Sequence, residues 1–202
     1  MDKQFSEEAE KIRFETFVDA ILAIIITVLV LEFKVPENAY TSDGEIQSFI
    51  RHMMPSFFSY FISFATIVTL WIDHHNLFRS IKKADTKFVL LNFLFVLFVS
   101  ATPFTTALAG RNYERPYAVA LVGANYALMS LSFIFIWAYA EIKKIIPETV
   151  AMNKSSKAGK TLGFIGFCFL IASIPLAYAS TYITFALFIL VIIMHLIKQF
   201  FY

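Results

Sequence analysis

The sequence predicts an all-α integral membrane protein in which six transmembrane helices form one bundle per subunit. Hydrophobic residues make up 58% of the 202 residues and charged residues only 16%, whereas soluble domains are about 45–50% apolar and about 25% charged. A chain of this length cannot hide that apolar excess in one core. Because lipid offers the backbone no hydrogen-bond partner, each long apolar run is predicted to be a helix of about 20 residues.

The apolar runs give the predicted helices in order. The first run follows a mixed acidic and basic segment without a nearby small-residue cleavage site, so we expect it to be retained, and it ends before Pro36. The final run is too long for one span, and Pro175 with the small residues after it is predicted to divide it into two tightly packed helices. The predicted spans, within a single domain of residues 1–202, are 14–33, 55–77, 88–109, 117–140, 162–177 and 181–201.

The distribution of Lys and Arg predicts the orientation of these spans. With six spans both termini lie on one side, and that side holds 13 of the 17 Lys and Arg residues. Cytoplasmic loops carry an excess of positive residues, so we expect both termini to be cytoplasmic in a plasma or inner membrane. The opposite side holds the other four, Lys34, Arg51, Arg111 and Arg115, and the cytoplasmic side includes Lys3, Lys154 and Lys198.

The first span carries an unusually dense set of polar residues near its N-terminal end. At 100° per residue Lys11, Glu15 and Asp19 share one face, and Arg13 and Phe17 share another. Arg13 and Asp19 lie about 120° apart on the helix and cannot simply pair, so each needs a partner from elsewhere. The alternative is that Arg13 extends to the lipid headgroups and Asp19 is an interfacial carboxylate.

A second set of polar residues lies at the C-terminal end of the second span, where Trp71, Asp73, His74 and His75 occur together. Adjacent histidines beside an acid suggest a metal site, but they point about 100° apart and no third ligand is near in sequence. Hydrogen bonding between helices is the favoured interpretation. The same role is expected for the other polar residues within spans, which are Asn92, Asn125, Glu141 and His195.

These residues carry a resemblance to a known family. Arg13-x-x-x-Phe17-Val18-Asp19, followed by an apolar helix that ends in LEFKVP, closely resembles the R-x-x-x-F-S-D first-helix signature of the bacterial transmembrane protein 175 family. The Trp and His residues of the second span, the six-span plan and the length also agree. The chain departs from the signature at Val18, which replaces the family's Ser and removes a hydroxyl group.

The resemblance implies a homotetrameric, potassium-permeable cation channel of the non-P-loop type that conducts passively. It implies neither an enzyme nor a cofactor, and its partners are K⁺ and other monovalent cations, the lipid bilayer and further copies of the chain. The first helix of each copy would line the central pore. The family's assembly and gating motif maps onto Arg13, Phe17 and Asp19, with Trp71 and His74 or His75 as partners.

The pore-lining residues are predicted on one stripe of the first helix. The chain lacks the T-V-G-Y-G sequence that forms a carbonyl filter. Ile24, Thr27 and Leu31 lie within about 60° of arc, on the stripe that also carries Arg13 and Phe17. A four-fold axis would turn each into a ring, with a hydrophobic constriction at Ile24 and a hydroxyl ring between two apolar rings. Ordinary helix packing is the alternative for these residues.

Two other functions fit parts of the sequence. A proton-coupled secondary transporter would use Arg13, Asp19 and His74 as its coupling site. A membrane enzyme would use His74 and His75 as metal ligands.

Overall fold

The structure, a computed structural model, describes residues 2–35, 40–148 and 154–200, and their side chains except at 2–7, 154–156 and 198–200. Helices fill most of these ranges, within which no strand occurs, and the predicted all-α fold is confirmed. Pro36, the proposed stop of the first span, lies outside the described residues, as do the side chains of Lys3, Lys154 and Lys198.

The helices follow one another with short connections. By length and composition, five stretches are able to cross a membrane, Glu8–Glu32, Asp43–Ser80, Thr86–Arg111, Pro116–Ile142 and Lys157–Ala179, and the apolar helix Thr181–Ile197 is shorter. The elements are α1 (Asp2–Val28) with a 3-10 turn (Leu29–Glu32), α2 (Asp43–Ser80), α3 (Thr86–Ser100), α4 (Thr102–Arg111), α5 (Pro116–Ile142), α6 (Lys154–Ala179) and α7 (Thr181–Phe200).

Helix α2 begins well before the predicted second span, so Pro55 lies inside the helix. The local sequence explains this start. Ser42 caps the helix by accepting a hydrogen bond from the backbone N–H of Glu45 (3.4 Å), and Asp43 and Glu45 place acidic groups in the first turn. Helix α2 therefore begins with a more polar segment that precedes its apolar part.

The last run forms two helices, and the second begins at Thr181, where the predicted span begins, but the break falls at Ser180 and Pro175 itself lies inside α6. Proline removes one backbone donor, and a helix packed in a bundle tolerates that loss. Ser180 instead supplies the start of α7, since its hydroxyl accepts a hydrogen bond from the N–H of Ile183 (3.4 Å) and its own N–H closes the last turn of α6 on Leu176 (2.9 Å).

Helix α3 starts from a capping residue that also joins two helices. The Asp85 carboxylate accepts hydrogen bonds from the N–H of Phe88 and from the Tyr139 hydroxyl of α5, both at 2.8 Å. Burial opposes ionisation, but these hydrogen bonds outweigh it and lower the pKa of Asp85. The connection from α2 to α3 is thus fixed against α5. Helix α3 ends at Ser100, and α4 begins at Thr102 with Pro103 in its first turn.

Helices α2, α4 and α5 are joined by a buried chain of hydroxyl groups. The Ser63 hydroxyl lies 2.7 Å from the Tyr126 hydroxyl and accepts a hydrogen bond from Thr106 (2.6 Å), while Ser59 donates to the Thr106 carbonyl (3.1 Å). Hydrogen bonds of this kind hold helices together in lipid, where apolar burial provides little driving force. This network forms a scaffold against which α1 is positioned.

Candidate functional site

Helix α1 has two apolar faces with different surroundings. Val18, Leu22, Ile25 and Leu29 are at most 6% exposed and belong to the protomer's core. Their spacing of three and four residues places them on one stripe of the helix. Since α1 contacts α2 and α3 through one side, the described residues of the protomer leave its other face largely uncovered.

The uncovered face is the stripe that the sequence predicts to line a pore. Ile24 is 60% exposed, Leu31 is 70% exposed and Phe17 is 46% exposed. Thr27 and Arg13 are also exposed. Packing inside one subunit therefore does not account for Ile24, Thr27 and Leu31, and this stripe is available to further copies of the chain.

The Thr27 hydroxyl has a defined orientation on this stripe. It donates a hydrogen bond to the backbone carbonyl of Ile24 at 2.8 Å. Because that bond uses the hydroxyl's only hydrogen, the oxygen's remaining lone-pair capacity faces away as an acceptor. An exposed acceptor beside an exposed apolar side chain is an arrangement that can contact a cation.

Asp19 and Trp71 join the N-terminal half of α1 to α2. The indole Nε1–H of Trp71 donates a hydrogen bond to Asp19 Oδ1 at 3.0 Å. The same indole stacks on the His75 ring, with centroids 5.6 Å apart and planes inclined by 22°. The signature acid of the first helix thus contacts the tryptophan of the second, which is one of the partners that the resemblance implies.

His75 faces the acidic residues of α1. Its Nδ1 atom lies 3.6 Å from Glu15 Oε1, and one ligand atom from each of Glu15, Asp19 and His75 lies within 4.8 Å of the others. Two carboxylates and an imidazole are groups that bind divalent metals. The structure therefore differs from the sequence hypothesis of a His74–His75 metal pair, because the residues that could hold a metal beside His75 come from another helix.

His74 has a separate, structural environment. It is fully buried, and its Nε2 lies 2.9 Å from Asn92 Oδ1 of α3. The Asn92 amide group donates to the Phe88 carbonyl (2.8 Å), so its oxygen is free to accept from the histidine. The ring stacks on Phe95, with centroids 5.7 Å apart, and lies tilted against Phe78, with centroids 4.6 Å apart. His74 therefore connects α2 to α3 and is not the hydrogen-bond partner of Asp19.

The two remaining signature positions of α1 pack on neighbouring apolar groups. Phe17 stacks on Phe14 and meets the edge of Phe93 of α3, with centroids 6.4 and 5.8 Å apart. Val18 is 0% exposed. The position where the family signature has Ser is thus an apolar core position in this chain, and the methyl groups of Val fill it without a polar group to satisfy.

The polar residues scattered through the other spans each meet a group on a different helix. Two of these contacts are hydrogen bonds: Asn92 binds His74, and Asn125 donates to the Thr102 hydroxyl at 3.2 Å. The other two are the Glu141–Lys160 and Asp73–His195 contacts. These contacts agree with the expected role in helix packing. The pairing of His195 with Asp73 joins residues 122 positions apart, and no sequence spacing indicates it.

Comparisons with known proteins agree with this arrangement. Residues 13–103, which include the exposed stripe and the Asp19–Trp71 pair, match the family described as the endosomal/lysosomal potassium channel TMEM175. A potassium channel of Chamaesiphon minutus is 28% identical over 187 residues, which cover 88% of this chain and 92% of the relative. The endosomal/lysosomal proton channel TMEM175 of Bos taurus is 30% identical over 163 residues, which cover 76% of this chain and 33% of that protein.

The fold also matches a solved crystal structure. The crystal structure of a lysosomal potassium-selective channel TMEM175 homolog from Chamaesiphon minutus superposes with a TM-score of 0.82 and 25% sequence identity, covering 94% of this chain and 98% of that one. The helical architecture, the first-helix signature and the whole-length similarity coincide. The chain is an integral membrane protein that is similar over nearly its whole length to TMEM175-type potassium channels.

Proposed function

We propose that the chain forms a homotetrameric channel in which four copies of α1 line a central pore that conducts K⁺ passively. The observation that carries this proposal is the exposed stripe of Arg13, Phe17, Ile24, Thr27 and Leu31, which lies opposite the face that α1 buries in its own protomer. An Arg and a Thr on this stripe fit a pore or subunit interface better than contact with lipid.

The proposed selectivity depends on dehydration at Ile24. A ring of four Ile side chains removes water from the ion without supplying carbonyl oxygens. K⁺ holds its water less tightly than Na⁺, so this barrier favours K⁺. The Thr27 oxygens, oriented outward by the bond to Ile24, would hold a partly hydrated ion next to the constriction and lower the barrier there.

Ion flux into proteoliposomes tests the function directly. We expect a K⁺ gradient alone to drive flux through the purified chain, and empty liposomes provide the control. A strict requirement for a proton or substrate gradient would contradict the channel and support the coupled transporter. Because the bovine relative is named a proton channel, a pH-sensitive dye in the same vesicles measures proton flux as a second candidate activity.

The transporter hypothesis receives less support from the side-chain contacts. A coupling site requires Arg13, Asp19 and His74 to act on one another, yet Asp19 binds Trp71 and His74 binds Asn92. The enzyme hypothesis also loses its proposed ligand pair, because the Nε2 of His74 is engaged in the core. Both observations favour the channel, in which these residues hold α1 and α3 to α2.

We propose further that both termini are cytoplasmic in the cell membrane. After replacement of Cys168, the only cysteine, single cysteines at Lys3, Lys83 and Arg115 should separate the two sides. Lys3→Cys and Lys83→Cys should react with a membrane-impermeant maleimide only in inside-out vesicles, and Arg115→Cys only in right-side-out vesicles. Labelling of positions 3 and 83 from opposite sides would reject this topology.

A further inference from the structure

Three side chains that can ligate a metal ion meet where the N-terminal half of α1 packs against α2. Glu15 and Asp19 lie one helical turn apart on α1, on a face well separated from the exposed stripe, and His75 lies opposite them on α2. One ligand atom from each of the three residues lies within 4.8 Å of the other two. The side chain of Glu15 is 19% exposed and that of His75 is 39% exposed, so a small ion in water can reach the cluster.

The imidazole of His75 has a ring nitrogen that lacks a hydrogen bond. Nδ1 is buried, and among the described residues it has no hydrogen-bond partner. Its distance of 3.6 Å from Glu15 Oε1 is too long for a hydrogen bond. Buried polar atoms nearly always have a partner, so an orphaned one requires an explanation, and a bound ion is one such explanation.

The separation of these two atoms suits a shared metal ion. Two ligand atoms on a tetrahedral zinc ion lie about 3.4 Å apart, because each metal–ligand bond is about 2.1 Å long. The 3.6 Å between His75 Nδ1 and Glu15 Oε1 is close to this value. Small side-chain rotations would bring an Asp19 oxygen to the same distance from both.

The charges of the cluster favour a divalent cation. Glu15 and Asp19 supply two carboxyl groups one turn apart, and like charges at this spacing repel each other. Among the side chains that the structure describes, neither acid forms an ion pair with a Lys or Arg residue. A divalent cation between the acids would neutralise both of them.

Trp71 holds two of the three ligands in place. Its indole N–H donates to Asp19 Oδ1 at 3.0 Å, and its ring stacks on the ring of His75 with centroids 5.6 Å apart. The Asp19 carboxylate has about four acceptor positions, so this hydrogen bond leaves room for a metal ion. Contacts of this kind orient the ligands of metal sites and tune their affinity.

We propose that Glu15, Asp19 and His75 bind a divalent transition-metal ion of the Zn²⁺ class, with Trp71 as the residue that positions Asp19 and His75. One imidazole and two carboxylates suit Zn²⁺ and Co²⁺, whereas Mg²⁺ and Ca²⁺ prefer ligand sets made of oxygen alone. Three protein ligands leave a fourth position for water. The ion would join α1 to α2 within one protomer, so the inference holds whether or not the chain conducts K⁺.

Isothermal titration calorimetry of the full chain in detergent, without an affinity tag, measures the binding of Zn²⁺. At about pH 7.5 an ordinary imidazole is mostly neutral and able to ligate. We expect saturation near one Zn²⁺ per chain, with Mg²⁺ bound at least about tenfold more weakly. His75→Phe keeps a ring beside Trp71 without a nitrogen, and Glu15→Gln keeps the shape without the charge. Each should weaken Zn²⁺ binding at least about tenfold, and Trp71→Phe should weaken it about tenfold.

The same two helices provide matched controls. His52 of α2 and Glu10 of α1 are exposed residues outside the cluster. His52→Ala and Glu10→Gln each remove a group of the same chemistry, and both should bind Zn²⁺ like the original chain.

The fluorescence of Trp71 reports where the ion binds. The chain has two tryptophans, so Trp71 is the only one in a Trp137→Phe background. Co²⁺ has a partly filled d shell and quenches a nearby indole, whereas Zn²⁺ has a filled one. Co²⁺ should therefore quench the emission of Trp71, and Zn²⁺ should restore it by displacing Co²⁺.

Each other result would overturn the proposal. No binding of Zn²⁺, or equal affinity for Zn²⁺ and Mg²⁺, would show that the imidazole takes no part in a metal site. Binding that both His75→Phe and Glu15→Gln leave unchanged would place the ion elsewhere, as would Co²⁺ binding without quenching. Unchanged affinity in Trp71→Phe would reject its positioning role. Thermal melting of every variant identifies loss of folding, and if His75→Phe unfolds, Glu15→Gln and the quenching still decide the location.

Discussion

Replacing Ile24 with Ala or Asn is expected to raise total cation flux and to bring the permeability of Na⁺ closer to that of K⁺. Ile24→Ala widens the proposed ring and Ile24→Asn lets water enter it, so either change reduces the dehydration that an ion must undergo. The side chain is 60% exposed in the protomer. Its loss should therefore cost the protomer little of the free energy of unfolding, and the effect should appear in conduction.

Thr27→Val tests the role of the hydroxyl group separately from the width of the pore. Valine keeps the branched shape but lacks the oxygen that Thr27 presents beside the constriction, so we expect a reduced preference for K⁺ without a wider pore. Removal of the hydroxyl ring should reduce the permeability ratio several-fold, which corresponds to a difference of roughly 1 kcal/mol between K⁺ and Na⁺ for the whole ring.

The reversal potential under K⁺/Na⁺ bi-ionic conditions measures both effects. Ile24→Ala, Ile24→Asn and Thr27→Val are compared with the original chain at equal expression, and Ile12→Ala, an exposed apolar position outside the stripe, is the matched control. Four coincident reversal potentials for the three variants and the original chain would mean that this stripe does not face the pore.

Breaking the Asp19–Trp71 hydrogen bond is expected to lower tetramer yield or open probability while leaving ion selectivity nearly unchanged. Asp19→Ala and Trp71→Phe each remove the 3.0 Å bond between α1 and α2, and Trp71→Phe keeps an aromatic ring next to His75. Asp19→Asn removes the charge but keeps an oxygen that can accept the bond, so it should have a smaller effect. The bond is partly exposed, so we expect about 1 kcal/mol per subunit and about 4 kcal/mol per tetramer. Arg13→Ala should act in the same direction if Arg13 pairs with a neighbouring copy.

His74→Ala should behave differently, because His74 binds Asn92 and not Asp19. Its removal leaves a buried amide oxygen without a donor, which costs about 1–3 kcal/mol, and opens a space between two aromatic rings, which costs about 2–5 kcal/mol. We therefore expect the protomer itself to lose stability.

Size-exclusion chromatography, thermal melting and single-channel recording together distinguish a defect in assembly or gating from a loss of protomer stability. Asp19 and Trp71 variants should melt as folded protomers but assemble poorly or open rarely, whereas His74→Ala should lower the melting temperature first. A large change of selectivity in Asp19→Ala with normal assembly and gating would contradict the assignment of this cluster to assembly and gating.

Composition and hydropathy determined the fold class of this protein. The excess of apolar residues requires lipid-facing helices, because the backbone finds no other partner in a bilayer. Periodicity also placed Ile24, Thr27 and Leu31 on one stripe, since residues three and four apart share a helix face whatever the helix packs against, and the resemblance to a known family singled out that stripe. The end of α6 was less predictable, because the tolerance of Pro175 depends on the surrounding bundle and the cap at Ser180 depends on local geometry.

Only the tertiary structure decided which of two apolar stripes on α1 is buried and which partner each polar residue finds. Val18 and Ile24 are both apolar β-branched side chains, yet Val18 is 0% exposed and Ile24 is 60% exposed. Trp71, His74 and His75 lie within five positions but contact Asp19, Asn92 and Glu15. Successive helical residues point about 100° apart, so the positions of the neighbouring helices determine what each side chain meets, and sequence separation carries no information about those neighbours.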